Sequence, residues 1–256
     1  MKRTLASLAA LTLAASPLAA QTFTYGGTVV ELTYGENDAG SPDGEFRQLS
    51  TTTALSYGAF TGEIYLALTD ENAFGGDYAT TRTLGLDGYY TVSEAFAAGL
   101  YLRHNNSDLS GGGENGHDSV GLQMRGRSGA FSYAAYVGGN DDQNDFYDDW
   151  RSIGLRGAYD ISPAVTAYVE AQHDDISTSL GDFDVQAVKL GVTYDLASAA
   201  QSFDRPVYLT GEISRWEGAV SDWNQFTVSV SVPLGNKSAK PAAFGGMRSL
   251  YTEFGY

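Results

Sequence analysis

The chain has 256 residues, with 31 Gly, 17 Tyr and no Cys. Its 31 acidic and 15 basic side chains give a formal net charge of −16. That balance excludes a nucleic-acid binder, which needs a basic face against phosphate. The missing Cys excludes a disulfide scaffold and thiolate metal sites.

The first element is not a part of the fold. Lys2 and Arg3 precede an apolar run from Leu5 to Ala15, and Pro17 and small residues follow up to Ala20. This is the layout of a cleavable secretory signal peptide over 1–20. Its removal leaves 13 basic against 31 acidic side chains, or −18. No later stretch reaches the roughly 20 apolar residues of a spanning helix. Any membrane crossing therefore has to be made by strands.

From Tyr25 onward, segments of about ten residues alternate apolar with other side chains, the period of a strand with two different faces. Twelve are predicted, at 25–34, 46–57, 60–69, 80–91, 96–105, 118–127, 130–139, 150–160, 164–173, 185–195, 206–216 and 223–233. The clearest sets Phe226, Val228, Val230 and Val232 against Thr227, Ser229 and Ser231. Val120, Leu122 and Met124 oppose Ser119, Gly121, Gln123 and Arg125; Val165, Ala167 and Val169 oppose Thr166, Tyr168 and Glu170. No segment shows a sustained helical period.

Connections after odd-numbered strands are long, and those after even-numbered strands are short, as at Gly58-Ala59 and Ser128-Gly129. The link at 196–205 breaks the rule. The long connections and their flanks carry most of the acids, among them Glu36, Asp38, Asp43, Asp70, Asp108, Asp145, Asp182 and Asp222. One end of the array is thus strongly anionic. Tyr57, Tyr90, Phe96, Phe131, Tyr159 and Tyr194 mark the other end, all on the apolar phase. Amphipathic rings in register suit a bilayer interface.

The opposite phase is too polar for a soluble core. It carries Glu31, Glu63, Asp87, Arg103, Arg125, Arg156, Glu170, Lys189 and Glu212, with Gln48, Ser50, Thr52, Gln123, Thr166, Thr210, Thr227 and Ser229. Burying nine unpaired charges would be prohibitive. A soluble sandwich is disfavoured because the apolar phase is thin, with Gly88, Ala98, Ala135, Gly157 and Ala167, and small residues in a core leave voids. A propeller is disfavoured because no blade-length repeat is present. The fold class expected is all-β, a closed antiparallel transmembrane barrel of about twelve strands, since hydrocarbon admits strands only when closure satisfies every backbone group.

In its exported start, alternating strands such as Phe226 to Leu234, acidic long loops and Gly/Tyr-rich composition, the sequence resembles the porin-like outer-membrane β-barrels of Gram-negative bacteria. The resemblance covers about 25–234 in pattern and rests on no single motif. It implies a barrel over 21–235 and, because such barrels have even strand numbers, a periplasmic tail over 236–256. It implies pore-lining roles for the nine inward charges. Strands one to four supply Glu31, Glu63 and Asp87, and strands five, six and eight supply Arg103, Arg125 and Arg156. An acidic wall would face a basic wall, a device that sets selectivity in pores. The same charges could instead pair and plug the barrel.

The expected function is passive diffusion of small polar or charged solutes, with no cofactor and no metal. The alternatives are a non-conducting envelope or surface interaction barrel and a lipid-active enzyme. Expected partners are outer-membrane lipids and lipopolysaccharide; oligomerisation is left open. The Gly-rich loop at 106–117 either folds into the mouth or stays outside. A catalytic reading rests on His104, His117 and His173, and is weakened because His173 and Asp174 must point to opposite faces. The acids around Asp141 to Asp149 lack EF-hand spacing.

Overall fold

The structure, a computed structural model, describes residues 23–38, 44–73, 77–109, 113–142, 147–178, 181–199, 205–218 and 222–235. Twelve strands are present: β1 (Thr24–Asn37), β2 (Gly44–Tyr57), β3 (Phe60–Ala73), β4 (Asp77–Ser93), β5 (Phe96–Leu109), β6 (Gly113–Ser128), β7 (Phe131–Asp142), β8 (Tyr147–Asp160), β9 (Val165–Thr178), β10 (Gly181–Asp195), β11 (Tyr208–Glu217) and β12 (Asp222–Leu234). Each pairs antiparallel with its chain neighbours, and β1 pairs with β12 to close the barrel. The predicted signal peptide at 1–20 and tail at 236–256 lie outside the described residues.

Every predicted strand is present, but most run several residues further towards the long connections. The predicted loop 106–117 is largely strand, since β5 ends at Leu109 and β6 begins at Gly113. Its middle, 110–112, lies outside the described residues. The physical reason is that hydrophobic alternation exists only where one face meets lipid. Beyond that level the outward face is polar as well, so the contrast between faces is lost and the ladder continues without a hydropathic signal.

The two phases divide as expected. Leu32, Leu66, Leu86, Leu102, Leu122, Leu155, Leu190, Ile213 and Phe226 are exposed on the outside. Their in-between neighbours, such as Glu63, Arg103, Gln123, Glu170 and Lys189, are buried on the inside. At the short-connection end Tyr90, Phe131 and Tyr159 are exposed outward, and Phe60, absent from the predicted girdle, joins them with its ring 5.1 Å from Tyr90.

Short connections are made by local chemistry. Gly58 and Gly129 have φ of 59° and 60°, the left-handed conformation that tight hairpins require and that costs other residues strain. The exceptional link after β10 opens with one helical turn, α1 (Leu196–Ala199). Asp195 caps it, accepting from the Ala197 N–H at 3.0 Å and from the Ser198 hydroxyl at 2.9 Å, which satisfies donors that a helix start leaves open.

The β1–β12 seam is reinforced at both levels. Inside, the Ser231 hydroxyl donates to Glu31 at 2.7 Å. Above the strands, Asp38 accepts from the Asn224 backbone N–H at 2.5 Å and its side-chain amide at 2.9 Å. These bonds hold the Asp38 carboxyl below the usual carboxylate range.

Candidate functional site

Twelve strands about 4.8 Å apart and tilted about 40° form a backbone cylinder about 24 Å across. Side chains projecting from opposite walls of such a cylinder do not meet everywhere, so what the inner residues do depends on how they lie. Alternation places all nine predicted charges on the inner phase. Ion pairs join seven of them into a belt, and hydroxyls donate to the other two, Glu31 and Glu212.

Arg103 on β5 donates to Asp87 on β4 at 2.7 Å, with its side chain 1% exposed. The Gln123 side-chain amide on β6 also donates to Asp87, at 2.9 Å. Arg125 on β6 reaches Glu63 on β3 at 2.6 Å. Those strands are three apart in the wall, so this pair bridges a chord of the lumen. Arg156 on β8 meets Glu170 on β9 at 3.0 Å, and Lys189 on β10 approaches the same carboxylate at 3.7 Å. Glu212 on β11 accepts from the Tyr168 hydroxyl at 2.6 Å. The acidic and basic walls are therefore stitched into one another rather than held apart.

Tyrosines set the attitude of the arginines. The Arg125 guanidinium lies 3.8 Å from the ring centre of Tyr89, and Arg156 lies 3.8 Å from that of Tyr168. Such stacking is favourable and holds a cation flat. Glycines leave room for inward tyrosine rings, that of Tyr168 among them. A Cβ on Gly154 would sit 2.1 Å from the Tyr136 ring, and one on Gly191 would sit 2.2 Å from the Tyr168 ring. Arg156 and Tyr168 thus run along the wall, while the Arg125–Glu63 pair spans a chord of the lumen.

Below the belt lies a cavity of about 500 Å³, lined by Thr52, Glu63, Arg125, Arg156, Thr166 and Tyr168 among others. Residues of two short connections, Ser93 to Ala95 and Pro163-Ala164, also line it, which places it at the short-connection end. Arg125 is 34% exposed there. A solute in this vestibule meets hydroxyls, guanidinium edges and a carboxylate.

The opposite end of the lumen differs from the expected polar lining. Trp150, Ile176, Val185, Ala187, Trp216 and Trp223 form a buried inward cluster near the long-connection ends of β8 to β12. Trp216 and Trp223 stack with centres 5.6 Å apart. His117 packs on Trp150 at 4.2 Å, and Asp174 is fully buried beside the Trp150 indole N–H. Parity would have found these residues: Trp150 is two from inward Ser152, and Trp216 is two from Ser214.

The histidines do not assemble a catalytic group. His104 and Asp118 are 2.8 Å apart on the outer face. His117 faces inward, with its Nε2 3.2 Å from the Ser119 hydroxyl. His173 shares the outward phase, while Asp174 is buried inside. No group of three or more potential metal ligands occurs among the described residues.

No protein-family model and no curated protein matches the chain. Solved structures do. An outer membrane channel from Pseudomonas putida F1 superposes with a TM-score of 0.60 at 10% identity, covering 86% of this chain and 99% of that one. The KdgM porin gives 0.52 at 9% identity over 80% and 98%. The β domain of the Bordetella autotransporter BrkA gives 0.51 at 13% over 83% and 100%. The fold shared with these structures is the closed antiparallel β-barrel of outer-membrane proteins.

Proposed function

We propose that the protein is an outer-membrane channel for passive diffusion of small polar or charged solutes, with cations favoured by its excess of carboxylates. The observation that carries this reading is the belt. Arg125, Glu63, Arg156 and Glu170 are held in ion pairs beside a vestibule in which Arg125 stays 34% exposed. Glu31, Asp87, Arg103, Lys189 and Glu212 complete the lining. Fixed charges at a constriction decide which ions pass. No catalytic step is assigned to it.

The reading includes an export leader at 1–20, removed on secretion, and a tail at 236–256 on the periplasmic side. Both ends of the barrel emerge at the short-connection end, which fits an even strand number. The surrounding partners are outer-membrane lipids, with lipopolysaccharide in the outer leaflet.

A second reading, a non-conducting interaction barrel, is favoured by one observation: Arg103, Arg125, Arg156 and Lys189 each already contact a carboxylate. Planar-bilayer recording separates the two. The channel reading expects stepwise current from folded protein, and a reversal potential that moves towards cation preference in Arg125→Glu. Absence of current from heat-modifiable protein would reject it. Current with unaltered selectivity in the variant would remove the belt as the selectivity element.

A further inference from the structure

The outer face carries a second set of arginines with no place in the lumen. Arg47 on β2, Arg82 on β4, Arg151 on β8 and Arg215 on β11 all belong to the lipid-facing phase. Each lies two positions beyond an exposed aliphatic residue, Leu49, Leu84, Ile153 and Ile213, on the side of the long connections. The four therefore occupy one level around the barrel, immediately above the apolar band. His104, two positions beyond exposed Leu102, sits in the same row.

Among the described residues, the other rim has no such row on its strands; its one exposed outer arginine, Arg205, lies in the link before β11. Outward strand positions there are aromatic, as at Phe60, Tyr90, Phe131 and Tyr159. Arg127 at that end is on the inward phase and pairs with Asp160. A chain with a net charge of −16 has thus put a row of four strand-borne, outward arginines at one membrane boundary, where the strands of the other carry aromatic rings.

Each guanidinium touches a carboxylate: Arg47 with Glu45 at 3.3 Å, Arg82 with Asp108 at 2.9 Å, Arg151 with Asp149 at 2.6 Å and Arg215 with Asp222 at 2.9 Å. Yet their side chains are 71%, 62%, 71% and 52% exposed. Exposed pairs of this kind contribute little and exchange easily. A guanidinium presents a planar fork of donors that matches phosphate oxygens. Residues at this height meet lipid headgroups, not bulk solvent.

We propose that Arg47, Arg82, Arg151 and Arg215 form a collar that binds the phosphates of an outer-leaflet glycolipid of the lipid A class. Acyl chains lie on the aliphatic row below, and the guanidinium row holds the headgroup phosphates. The collar rests on the outer-membrane placement of the barrel and not on conduction.

The test uses the full folded barrel in detergent. Short-core lipopolysaccharide, the same lipid after enzymatic dephosphorylation, phosphatidylglycerol and inorganic phosphate are titrated separately, and retained lipid is counted by native mass spectrometry. Wild type is expected to hold phosphorylated lipopolysaccharide at least about tenfold more tightly than the dephosphorylated form. The quadruple variant R47Q/R82Q/R151Q/R215Q is expected to lose that preference while keeping its heat-modifiable gel shift and its wild-type channel behaviour. Equal binding of phosphorylated and dephosphorylated lipid by wild type would overturn the proposal, and that arm stands even if the variant fails to fold. So would undiminished preference in a folded variant. Equally tight phosphatidylglycerol would reduce the collar to general attraction for anionic lipid, and competition by inorganic phosphate at matched concentration would show a free-phosphate site instead.

Discussion

Arginine sits on both walls of this barrel, and the two populations teach opposite lessons. Inside, Arg103 contacts Asp87 at 2.7 Å with 1% of its side chain exposed. Outside, Arg215 contacts Asp222 at 2.9 Å with 52% exposed. The contacts look alike, but their energetics do not. A buried charge has given up water and depends on its partner. An exposed one keeps much of its hydration, so its partner matters little. The inner belt is therefore part of what holds the barrel in shape, whereas the outer collar is available to a ligand.

The sharpest way to break that contrast is to strand an inner charge. Asp87→Asn removes the carboxylate that buried Arg103 contacts at 2.7 Å, and the expected loss is about 3–5 kcal/mol of stability, read as a lower urea midpoint for unfolding from lipid vesicles. Adding Arg103→Met should restore part of it, since the pair itself is worth less than its rupture costs. The packing around the Tyr168 ring gives the next effect. Gly191→Ala places a Cβ against the Tyr168 ring, and overpacking of that sort costs about 1–3 kcal/mol. The same assay should show it, together with altered single-channel current, because Tyr168 carries Arg156.

The collar predicts a smaller number. Arg215→Gln should change stability by no more than about 1 kcal/mol, and a shift as large as that of Asp87→Asn would erase the distinction between the two walls. The smallest effect concerns pH at the β1–β12 seam. The Asp38 carboxyl is held below its ordinary range by Asn224, so its contribution is full above the unfolded carboxylate range and vanishes as pH falls through the lowered folded value. Asp38→Ala should therefore lower the heat-modifiability midpoint slightly at neutral pH, and the difference from wild type should disappear in strong acid.

Much of this was legible in the residues. Alternation alone located all twelve strands and put Glu31, Glu63, Asp87, Arg103, Arg125, Arg156, Glu170, Lys189 and Glu212 on the inner face, because a strand in lipid has no other way to satisfy its two environments. Partners were not legible. That Arg125 would reach Glu63 rather than a neighbouring strand depends on register and shear, which periodicity does not report. Strand ends beyond the bilayer were missed because the outward face is polar there too, as at Asn106 and Asp175. The inward tryptophans were missed because they were not followed along the polar phase to the strand ends, although Trp223 is in phase with Thr227 and Ser229, and Trp150 with Ser152. The collar is not legible from the sequence alone because each arginine sits at the end of its predicted strand, and only the register between strands shows that Arg47, Arg82, Arg151 and Arg215 share a level.

The most direct measurement exploits the absence of native Cys, which makes single thiols unambiguous. Thr52→Cys, Thr166→Cys and, as an outer-face control, Leu190→Cys would each be reconstituted in planar bilayers and exposed to a charged, water-soluble thiol reagent. A water-filled, charge-lined lumen predicts that current through the first two falls on modification while the Leu190→Cys channel is untouched. Folded Thr52→Cys and Thr166→Cys barrels that carry no current, or whose thiols stay unreactive while Leu190→Cys is modified, would contradict it.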